Sequence, residues 1–526
     1  MIGPMDTDVL STVLGQARRD PDHPAVRDSD RQLHYGELVD EVGRLAGGLD
    51  ALGVGPGDRV ALHLPNSVEF VVAALASLWV GALFVPLAVT DPEARVDAIL
   101  ADCSPAVVVT GPGPGRERPE QRSSGPGGPP LRREYADLLA PSPIAPPTDA
   151  PQPDRLAYAI YTSGTTGTPK GVLIGNRAFL AAVRSTAALL GLDRRTRTLC
   201  VSPFHFDGSF ATLFPTLAVG GTVVIRPREA LLFPRTFFRA VRDEGITYTG
   251  FSPSYLKLLL ASPQMTELEG GTLEIIALGG EASALADIRA VWAAAPQVRV
   301  FNRYGPTETT IAVTHVELTE ERVADGTVPL GHPHPGVTFL LVDDDGTPID
   351  GRDQPGELYI GGAQLMAGYW ESPELTGRVL RTDLVPGAVV YRTGDVAYRN
   401  RRGEYVYVER ADRVVKRSGV RISLVEVADA VRGLPGVADA ACVVFDDGGA
   451  VGIAAFVVTD RPVDELELRR GAARHLPDSM LPDRIERVPA LPLTASGKLD
   501  ERGLLGGAGL DPPGSGLPVG ASSRSA

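Results

Sequence analysis

The chain has 526 residues, of which 43% are hydrophobic and 22% are charged, and its formal net charge at pH 7 is −14. Because this length exceeds what one hydrophobic core usually serves, the sequence predicts at least two domains. The negative charge and the lack of a long basic run argue against nucleic acid or an anionic membrane as the main partner.

The cysteines and the first residues bear on the compartment. Cys103, Cys200 and Cys442 are far apart and lack CxxC spacing, so they indicate neither a disulfide framework nor a zinc site. Residues 1–22 contain no continuous apolar segment, so no secretory signal is predicted. We therefore expect a reducing, cytoplasmic environment.

The first predicted elements are a helix and a strand. Leu38, Val42, Leu45 and Leu49 recur at helical spacing, which predicts an amphipathic surface helix. The apolar segment Arg59–Leu64 follows and predicts a strand. This is the beginning of an alternation between strands and helices.

Residues 70–89 carry no charge and are long enough to span a membrane. Gly81 and Pro86 interrupt this run, however. We therefore predict a buried helix over Val68–Val80 and a short strand over Leu83–Pro86. The alternation predicts an α/β fold with a parallel sheet.

The composition changes over residues 111–153. Gly, Pro, Ser and charged residues dominate there, so the segment has little apolar surface to bury. The sequence predicts a disordered insertion at the surface, without a function of its own.

The segment Tyr161–Gly171 reads Tyr-Thr-Ser-Gly-Thr-Thr-Gly-Thr-Pro-Lys-Gly. Its backbone N–H groups, its hydroxyls and the Lys170 ammonium can converge on an anion, which predicts a phosphate-binding loop. Pro169 before this lysine excludes the Walker P-loop, which needs Gly-Lys-Ser/Thr. A hairpin turn rich in Gly and Thr is the alternative, and it leaves the lysine unexplained.

The flanks of the loop are short apolar segments. Leu156–Tyr161 precedes it and Val172–Ile174 follows it, which predicts strand, loop, strand. Asn176 is predicted to cap the next helix. Further along the chain, the segments Thr222–Ile225 and Leu273–Ala277 are also predicted to be strands.

The loop resembles the nucleotide-binding signature of adenylate-forming enzymes, the superfamily of acyl-CoA synthetases, nonribosomal peptide synthetase adenylation domains and firefly luciferase. Segments that resemble the partner motifs follow in order. They are Phe204–Phe210, Asn302–Thr310, Gly356–Gly362, Gly368–Trp370, Tyr391–Asp395, Glu409–Lys416 and Pro492–Asp500. In addition, Leu278–Glu281 follows the predicted strand Leu273–Ala277, where a loop at the carboxyl end of a strand could face a ligand. The resemblance covers about Leu33 to Asp500 and is greatest to a stand-alone amino acid adenylation enzyme of the nonribosomal peptide synthetase type.

This resemblance implies the fold and the domain boundaries. We expect an α/β large N-terminal domain with parallel-type sheets over residues 1–411. A small mobile α+β C-terminal domain is expected over residues 412–505, with Asp412 as the hinge. Residues 506–526 are predicted to be a disordered tail.

The resemblance also implies ATP and Mg²⁺ as cofactors. Catalysis is assigned to Lys498, Thr165, Thr166 and Lys170, and the metal to Glu308, since one carboxylate suffices when phosphates complete the coordination of Mg²⁺. The residues implied in nucleotide binding are Thr162, Ser163, Gly164, Gly167, Gly279, Gly280, Asn302, Arg303, Tyr304, Gly305, Thr307, Asp395 and Arg410. Among these, Tyr304 is expected to stack on the adenine, and Asp395 and Arg410 are expected to hold the ribose.

Asp207 stands where amino-acid-activating members supply a carboxylate for the substrate's amine. A helix N-cap is the structural alternative for this residue. Motif alignment implies a substrate pocket formed by His205, Phe206, Asp207, Gly208, Ala211, Gly250, Ala277, Gly279, Arg303, Ile311 and Ala312. Most of these are small.

Arg303 is the exception in this predicted pocket. A carboxylate is the natural bidentate partner of a guanidinium, so an acidic amino acid or an aspartate-like β-amino acid is the predicted substrate. An ion pair between Arg303 and a protein acid such as Glu281, which never touches the substrate, is the alternative.

The implied reaction is ATP-dependent formation of an aminoacyl-adenylate with release of pyrophosphate, followed by transfer to the phosphopantetheine thiol of a carrier protein. Because only 26 residues follow Asp500, we expect the carrier to act in trans. Coenzyme A is the alternative acceptor, and an acyl- or aryl-CoA ligase is the alternative enzyme. A catalytically dead nucleotide-binding protein is a third hypothesis, which the intact motif lysines and carboxylates disfavour.

The chain departs from the family pattern near the predicted hinge. It reads Ser418-Gly-Val-Arg-Ile-Ser423 where the family tends to have Arg-Gly-x-Arg-Ile-Glu, and Glu409 stands where glycine is usual. Both departures lie on the side that faces the acceptor. They bear on the thiol partner rather than on adenylation.

Overall fold

The computed structural model describes residues 7–111, 130–147, 155–162, 169–343, 345–410, 414–417, 420–447, 450–461, 463–492 and 499–512. Its strands are β1 (Pro24–Arg27), β2 (Gln32–His34), β3 (Arg59–His63), β4 (Leu83–Pro86), β5 (Val107–Thr110), β6 (Arg132–Glu134), β7 (Leu156–Thr162), β8 (Lys170–Gly175), β9 (Arg197–Cys200), β10 (Thr222–Ile225), β11 (Tyr248–Phe251), β12 (Ile275–Gly279), β13 (Arg299–Tyr304), β14 (Thr314–Leu318), β15 (Val337–Val342), β16 (Gly356–Gly362), β17 (Gly368–Tyr369), β18 (Leu380–Arg381), β19 (Val390–Arg399), β20 (Tyr405–Arg410), β21 (Val414–Arg417), β22 (Val420–Ser423), β23 (Val437–Asp446), β24 (Val451–Thr459) and β25 (Arg484–Arg487). Its α-helices are α1 (Val9–Arg19), α2 (Tyr35–Ala51), α3 (Val68–Trp79), α4 (Glu93–Cys103), α5 (Asn176–Leu190), α6 (Phe210–Val219), α7 (Arg228–Leu231), α8 (Pro234–Asp243), α9 (Pro253–Leu260), α10 (Leu285–Ala294), α11 (Pro373–Val379), α12 (Leu424–Arg432), α13 (Glu465–Ala472) and α14 (Glu501–Ala508).

Three sheets form the large N-terminal domain. The eight-stranded sheet has the order β14-β13-β12-β11-β9-β10-β1-β2 and is parallel from β13 to β1, with an antiparallel strand at each edge. The seven-stranded sheet has the order β17-β8-β7-β4-β3-β5-β6 and is parallel from β7 to β6. The five-stranded sheet, β15, β16, β18, β19 and β20, is antiparallel. The predicted α/β fold is confirmed, with mixed sheets in place of purely parallel ones.

The uncharged run near residue 75 is a buried helix, as predicted. Ser67 caps α3, because its side chain accepts a hydrogen bond from the Phe70 N–H, and the helix ends before Gly81, whose φ is +80°. Its residues join those of α2, α5 and α6 in one core with strands of both large sheets. Within the described parts of the chain, no helix combines the length and the hydropathy needed to cross a bilayer.

The C-terminal domain has its own core, built from α12, α13 and the sheet β23-β24-β25. This confirms the predicted α+β type. Ser423, one of the residues that depart from the family pattern, has a local structural role. Its hydroxyl caps α12 by accepting from the Glu426 N–H at 3.3 Å.

The predicted disordered insertion over residues 111–153 is partly wrong. Residues 130–147 are ordered enough to form β6, which extends the sheet beside β5, and a 3-10 helix over Ala136–Leu138. The chain then crosses α2 where this helix presents glycines, and a Cβ at Gly48 would overlap the Leu138 carbonyl. The polar composition of the segment did not predict this contact, because the contact is made by backbone hydrogen bonds and by very few apolar side chains.

Other predicted boundaries also shift. The disordered tail predicted from residue 506 is wrong at its start, because α14 continues to Ala508 and packs Leu504 and Leu505 against the C-terminal sheet. The cap of α5 is Gly175 rather than Asn176, without a side-chain cap bond. The strand β12 lies two residues further along than Leu273–Ala277.

Candidate active site

A cavity of about 630 Å³ lies at the carboxyl edge of the eight-stranded sheet. Val201, Phe251, Gly280 and Tyr304 line it, and each stands at or just beyond the end of β9, β11, β12 or β13. In α/β sheets, ligands bind beyond the carboxyl ends of parallel strands, so this position is that of a candidate active site.

Asp207 and Arg303 line this cavity and carry opposite charges. Burial raises the pKa of Asp207 to about 6, although a hydrogen bond from Thr307 acts in the other direction. Burial lowers the pKa of Arg303. Oδ2 of Asp207 and Nη1 of Arg303 are both buried without a hydrogen-bond partner among the described residues. A ligand with both an ammonium and a carboxylate would satisfy both atoms.

Gly250 and Gly279 make room for the Arg303 side chain. A Cβ at Gly279 would overlap that side chain, and a Cβ at Gly250 would lie 3.4 Å from Nη1 of Arg303. The alternative ion pair with Glu281 is not observed among the described residues. Glu281 instead accepts from the backbone N–H and the hydroxyl of Ser254, at 2.9 and 2.6 Å.

Two residues predicted to bind the nucleotide lie together. Tyr304 donates its hydroxyl hydrogen to Oδ2 of Asp395 at 2.5 Å, and Asp395 is almost fully buried. Across the β19–β20 pair, the backbone of Asp395 lies opposite that of Arg410, so the two predicted ribose contacts are neighbours.

Lys170 and Glu308 also meet, with Tyr369 between them. Lys170 Nζ lies 2.9 Å from the Tyr369 hydroxyl and 3.5 Å from Oε1 of Glu308, and Tyr369 donates to the same oxygen at 2.8 Å. Tyr369 was not predicted as a site residue. The signal was present, since Gly368–Trp370 is one of the motifs that resemble the family.

Most of the predicted site residues that the structure describes line the cavity. These are Thr162, His205, Phe206, Asp207, Gly208, Gly279, Gly280, Arg303, Tyr304, Gly305, Thr307, Ile311 and Ala312. Asp207 begins a 3-10 helix whose N-cap is Phe206, so the N-cap alternative for Asp207 is wrong. Burial, with Arg228 and Arg95, lowers the pKa of His205 to about 3, so this imidazole is neutral.

Other predicted residues lie behind the cavity wall or outside the described residues. Ala211 and Ala277 are fully buried behind the wall, and Asn302 donates from Nδ2 to the Pro329 carbonyl at 2.8 Å. The predictions for Ser163, Gly164, Thr165, Thr166, Gly167, Asp412 and Lys498 fall outside the described residues, as does the side chain of Arg410. Their roles stay predictions.

A buried polar chain behind the cavity wall was missed. His315 Nδ1 lies 3.0 Å from His334 Nε2, and His334 Nδ1 lies 2.9 Å from Gln364 Oε1. Gln364 in turn donates from Nε2 to the carbonyls of Ala312 and Thr310, at 2.7 and 3.2 Å. Burial lowers the pKa of both histidines, to about 4 for His334, so both are neutral. His315 stands beside Thr314 within a segment, Ala312–Val316, whose other residues are apolar, which was the available signal.

The chain matches two family models. Residues 14–370 match the model described as AMP-binding enzyme, and residues 426–498 match the AMP-binding enzyme C-terminal domain. The chain belongs to the AMP-binding enzyme family. The predicted resemblance to adenylation enzymes of the nonribosomal peptide synthetase type is thereby confirmed.

Named relatives support this membership. Over 510 residues the chain is 35% identical to phosphinothricin tripeptide synthetase PhsC of Streptomyces viridochromogenes, covering 93% of this chain and 44% of that protein. It is similar to the crystal structure of IdnL1, with 32% identity, a TM-score of 0.78 and coverage of 93% of this chain and 98% of that one. It is also similar to holo-PA1221, a nonribosomal peptide synthetase protein with adenylation and PCP domains, with 25% identity, a TM-score of 0.80 and coverage of 95% and 84%. The chain spans less than half the length of the curated relatives it matches.

Enzymes of this family use ATP and Mg²⁺. Among the described residues, no group of three His, Cys, Asp or Glu side chains could hold a metal ion by itself. Glu308 does supply one buried carboxylate beside Lys170. Since Mg²⁺ is usually held by one or two carboxylates together with substrate phosphates, this donor set fits Mg²⁺ that is bound with ATP.

Proposed function

We propose that this chain activates the carboxylate of an amino acid as an aminoacyl-adenylate and transfers the acyl group to the phosphopantetheine thiol of a separate carrier protein. The observation that carries the proposal is a pair of buried, oppositely charged atoms in one cavity, on Asp207 and Arg303, that have no hydrogen-bond partner among the described residues. An acid without an amine would leave Oδ2 of Asp207 buried without a hydrogen-bond donor among the described residues.

In the first step, a carboxylate oxygen of the substrate attacks the α-phosphorus of ATP. The new bond is carboxyl O–P, and the bond to the bridging oxygen breaks, so that pyrophosphate leaves with its electron pair. No protein nucleophile is needed, because the work is positioning and stabilisation of charge. Thr165, Thr166 and Lys170 are assigned to the pyrophosphate and Lys498 to the reacting oxygens. Bound Mg²⁺, held by Glu308, would neutralise charge on the phosphates.

In the second step, the thiol sulfur attacks the acyl carbon of the adenylate. A C–S bond forms, the C–O bond to AMP breaks, and the thiol proton is released to solvent. The similarity to PA1221, a protein that contains adenylation and PCP domains, supports a carrier protein as acceptor. Because the first step consumes ATP, we place the reaction in the cytoplasm.

We further propose an acidic amino acid, or an aspartate-like β-amino acid, as the substrate. Its amine would pair with Asp207 and one carboxylate with Arg303, which leaves the other carboxylate free to react. The absence of an ion pair between Arg303 and Glu281 among the described residues supports this substrate class. The alternative is an acyl- or aryl-CoA ligase, because the acceptor side of the family pattern is altered here.

Pyrophosphate exchange with a panel of amino acids and simple acids tests the proposal. We expect exchange with dicarboxylic amino acids, an increased KM for the amino substrate in Asp207→Ala, and loss of the acidic preference in Arg303→Ala. Exchange that responds only to acids lacking an amine, with Asp207→Ala unaffected, would establish the CoA ligase instead. Neutral amino acids outperforming every dicarboxylic one in both wild type and Arg303→Ala would refute the substrate class alone.

The Lys498→Ala variant tests the assignment of the catalytic lysine. We expect it to abolish adenylate formation while ATP binding is largely kept, because this charge acts mainly on the transition state. Exchange at the wild-type rate in this variant would contradict the assignment.

A further inference from the structure

The outer end of the cavity opens onto exposed apolar side chains. Leu232 and Leu258 line the cavity and are 51% and 37% exposed, and Phe233, next to Leu232, is 68% exposed. The segment that carries Leu232 and Phe233 follows β10, so it stands at the same carboxyl edge of the sheet as the active site. Contiguous exposed apolar groups beside a functional opening are typical of an interaction surface.

Two arginines follow Phe233 closely in the chain. Arg235 and Arg239 lie one turn apart on α8 and therefore share one face of that helix, where both are exposed. Neither forms an ion pair with a residue in the described parts of the chain. The next arginine on this helix, Arg242, differs because it pairs with Asp243 and Glu267. Arg235 and Arg239 thus keep a positive charge available in a chain with a net charge of −14.

Arg228 adds a further positive charge at the cavity itself, where Glu229 is the neighbouring acid. We define the entry face as Arg228, Leu232, Phe233, Arg235, Arg239 and Leu258. An apolar centre with cationic residues at its border matches a partner that presents apolar side chains surrounded by carboxylates. A small diffusible thiol would need neither the exposed phenyl ring nor the arginines beyond the opening.

We propose that the entry face is the docking surface for an acidic carrier protein, whose thiol-bearing arm enters the cavity beside Leu232 and Leu258. This inference rests on the proposed transfer to a carrier protein and adds where that protein binds and what its surface carries. Docking here directs the arm along the cavity towards Asp207 and Arg303, where the acyl-adenylate forms. The arginines attract the carrier electrostatically and orient it, and Phe233 contributes the apolar contact that is buried when the carrier is bound.

The test uses the double charge reversal Arg235→Glu/Arg239→Glu. It measures adenylate formation by pyrophosphate exchange, and it measures thiol transfer with two acceptors in separate assays, purified holo carrier protein and free pantetheine. We expect pyrophosphate exchange and transfer to pantetheine to stay within twofold of wild type. Transfer to the carrier, as kcat/KM for the carrier, should fall at least tenfold. Raising the ionic strength should reduce the difference in kcat/KM for the carrier between variant and wild type, because salt screens exposed charges.

A matched control is the double reversal Arg194→Glu/Arg195→Glu. It changes the net charge equally, but these exposed arginines precede β9 and so lie towards the amino edge of the sheet, away from the cavity. We expect carrier transfer in this variant to be close to wild type. Equal losses of carrier transfer in the two double variants would refute the entry face as the docking surface, since the effect would then reflect net charge alone.

Phe233→Ser tests the apolar part. It should raise the KM for the carrier without changing pyrophosphate exchange, and the thermal midpoint should stay unchanged because the ring is mostly exposed. Unchanged carrier transfer in both Phe233→Ser and the Arg235→Glu/Arg239→Glu variant would refute the proposal. Absence of pyrophosphate exchange in the wild type would instead refute the proposed function, so the two failures are distinguishable.

Discussion

The burial of charged groups on Asp207 and Arg303 in the cavity lowers the stability of the fold. Arg303 is buried and Asp207 is partly buried. Burial raises the pKa of Asp207 and lowers that of Arg303, because it disfavours the charged form of each group. Each also has one polar atom that no described residue satisfies. Groups buried in this way are usually retained for binding or catalysis, because they contribute little to stability.

The pKa of Asp207 predicts the pH dependence of substrate capture. Its carboxylate must be ionised to pair with an ammonium, and burial raises its pKa to about 6. We therefore expect kcat/KM for the amino substrate to be constant well above pH 6 and to fall roughly tenfold per pH unit well below it. The Asp207→Asn variant should have a lower kcat/KM at every pH, and the decrease of kcat/KM below pH 6, the acidic limb of the profile, should be absent from it. A limb at the same pH in the asparagine variant would assign it to another group.

Tyr369 predicts a second effect at the scale of one residue. Its hydroxyl accepts from Lys170 and donates to the buried Glu308, so Tyr369→Phe removes hydrogen bonds to two charged groups. A hydrogen bond to a charged group contributes about 1.5–3 kcal/mol, so kcat/KM for ATP should fall by roughly tenfold or more.

The control for this change is Tyr359→Phe, because that hydroxyl makes only a 3.4 Å contact with Glu357 outside the cavity. Steady-state kinetics at several Mg²⁺ concentrations would measure both variants. Equal kinetics for Tyr369→Phe and wild type would remove Tyr369 from the site.

At the scale of an element, the short turn between the 3-10 helix Thr307–Thr309 and β14 forms part of the cavity wall. Thr310 and Ile311 have φ values of 60° and 70°, a left-handed conformation that is unfavourable for β-branched residues. Ile311 and Ala312 line the cavity. The amide of Gln364 binds the carbonyls of Thr310 and Ala312 and is itself bound by the neutral His334. This buried chain therefore stabilises a strained wall.

Gln364→Ala tests the role of this chain. The change leaves buried carbonyls and the His334 N–H without partners, and each such loss costs ~1–3 kcal/mol. We expect the free energy of unfolding to fall by about 3 kcal/mol and the KM for the amino substrate to rise, with the KM for ATP changed much less. Gln354→Ala, at an exposed position, should change neither. A variant that loses stability while both KM values stay constant would show that the chain supports only the fold.

For the whole molecule, the two domains meet beside the active site. Val420 and residues 477–480 of the C-terminal domain line the cavity, and Phe206 packs against the C-terminal core. Arg95 of α4 pairs with Glu426 of α12 at 2.7 Å and with Asp91 at 3.3 Å, and both side chains of the interdomain pair are at least nine-tenths buried. This ion pair links the two domains directly.

Arg95→Met should weaken that link. Removal of one partner of a buried pair costs ~3–5 kcal/mol, because a charge is left buried. We expect faster limited proteolysis between β20 and β21 and a larger radius of gyration in solution scattering. Arg289→Met is the control, since its pair with Glu320 is exposed and lies within the large domain. Identical proteolysis of the Arg95 variant and wild type would show that other contacts hold the domains.

The sequence by itself determined the local elements and the kinds of residue at the site. The helix over Val68–Trp79, the strand after Gly81 and the strands on both sides of the phosphate loop followed from apolar periodicity and from glycine and proline positions, which are local properties. The ordered motifs identified the family for the same reason, because each motif is one continuous segment.

The tertiary structure decided which of these segments meet. Three features depend on strand order and on contacts between residues far apart in the chain. They are the Nη1 of Arg303 that no described residue satisfies, the space left by Gly250 and Gly279, and the position of Tyr369 between Lys170 and Glu308. The ordering of β6 within a polar insertion likewise depended on the free sheet edge beside β5. No pattern within a single segment contains that information, since the free energy of each contact comes from burial against a distant partner.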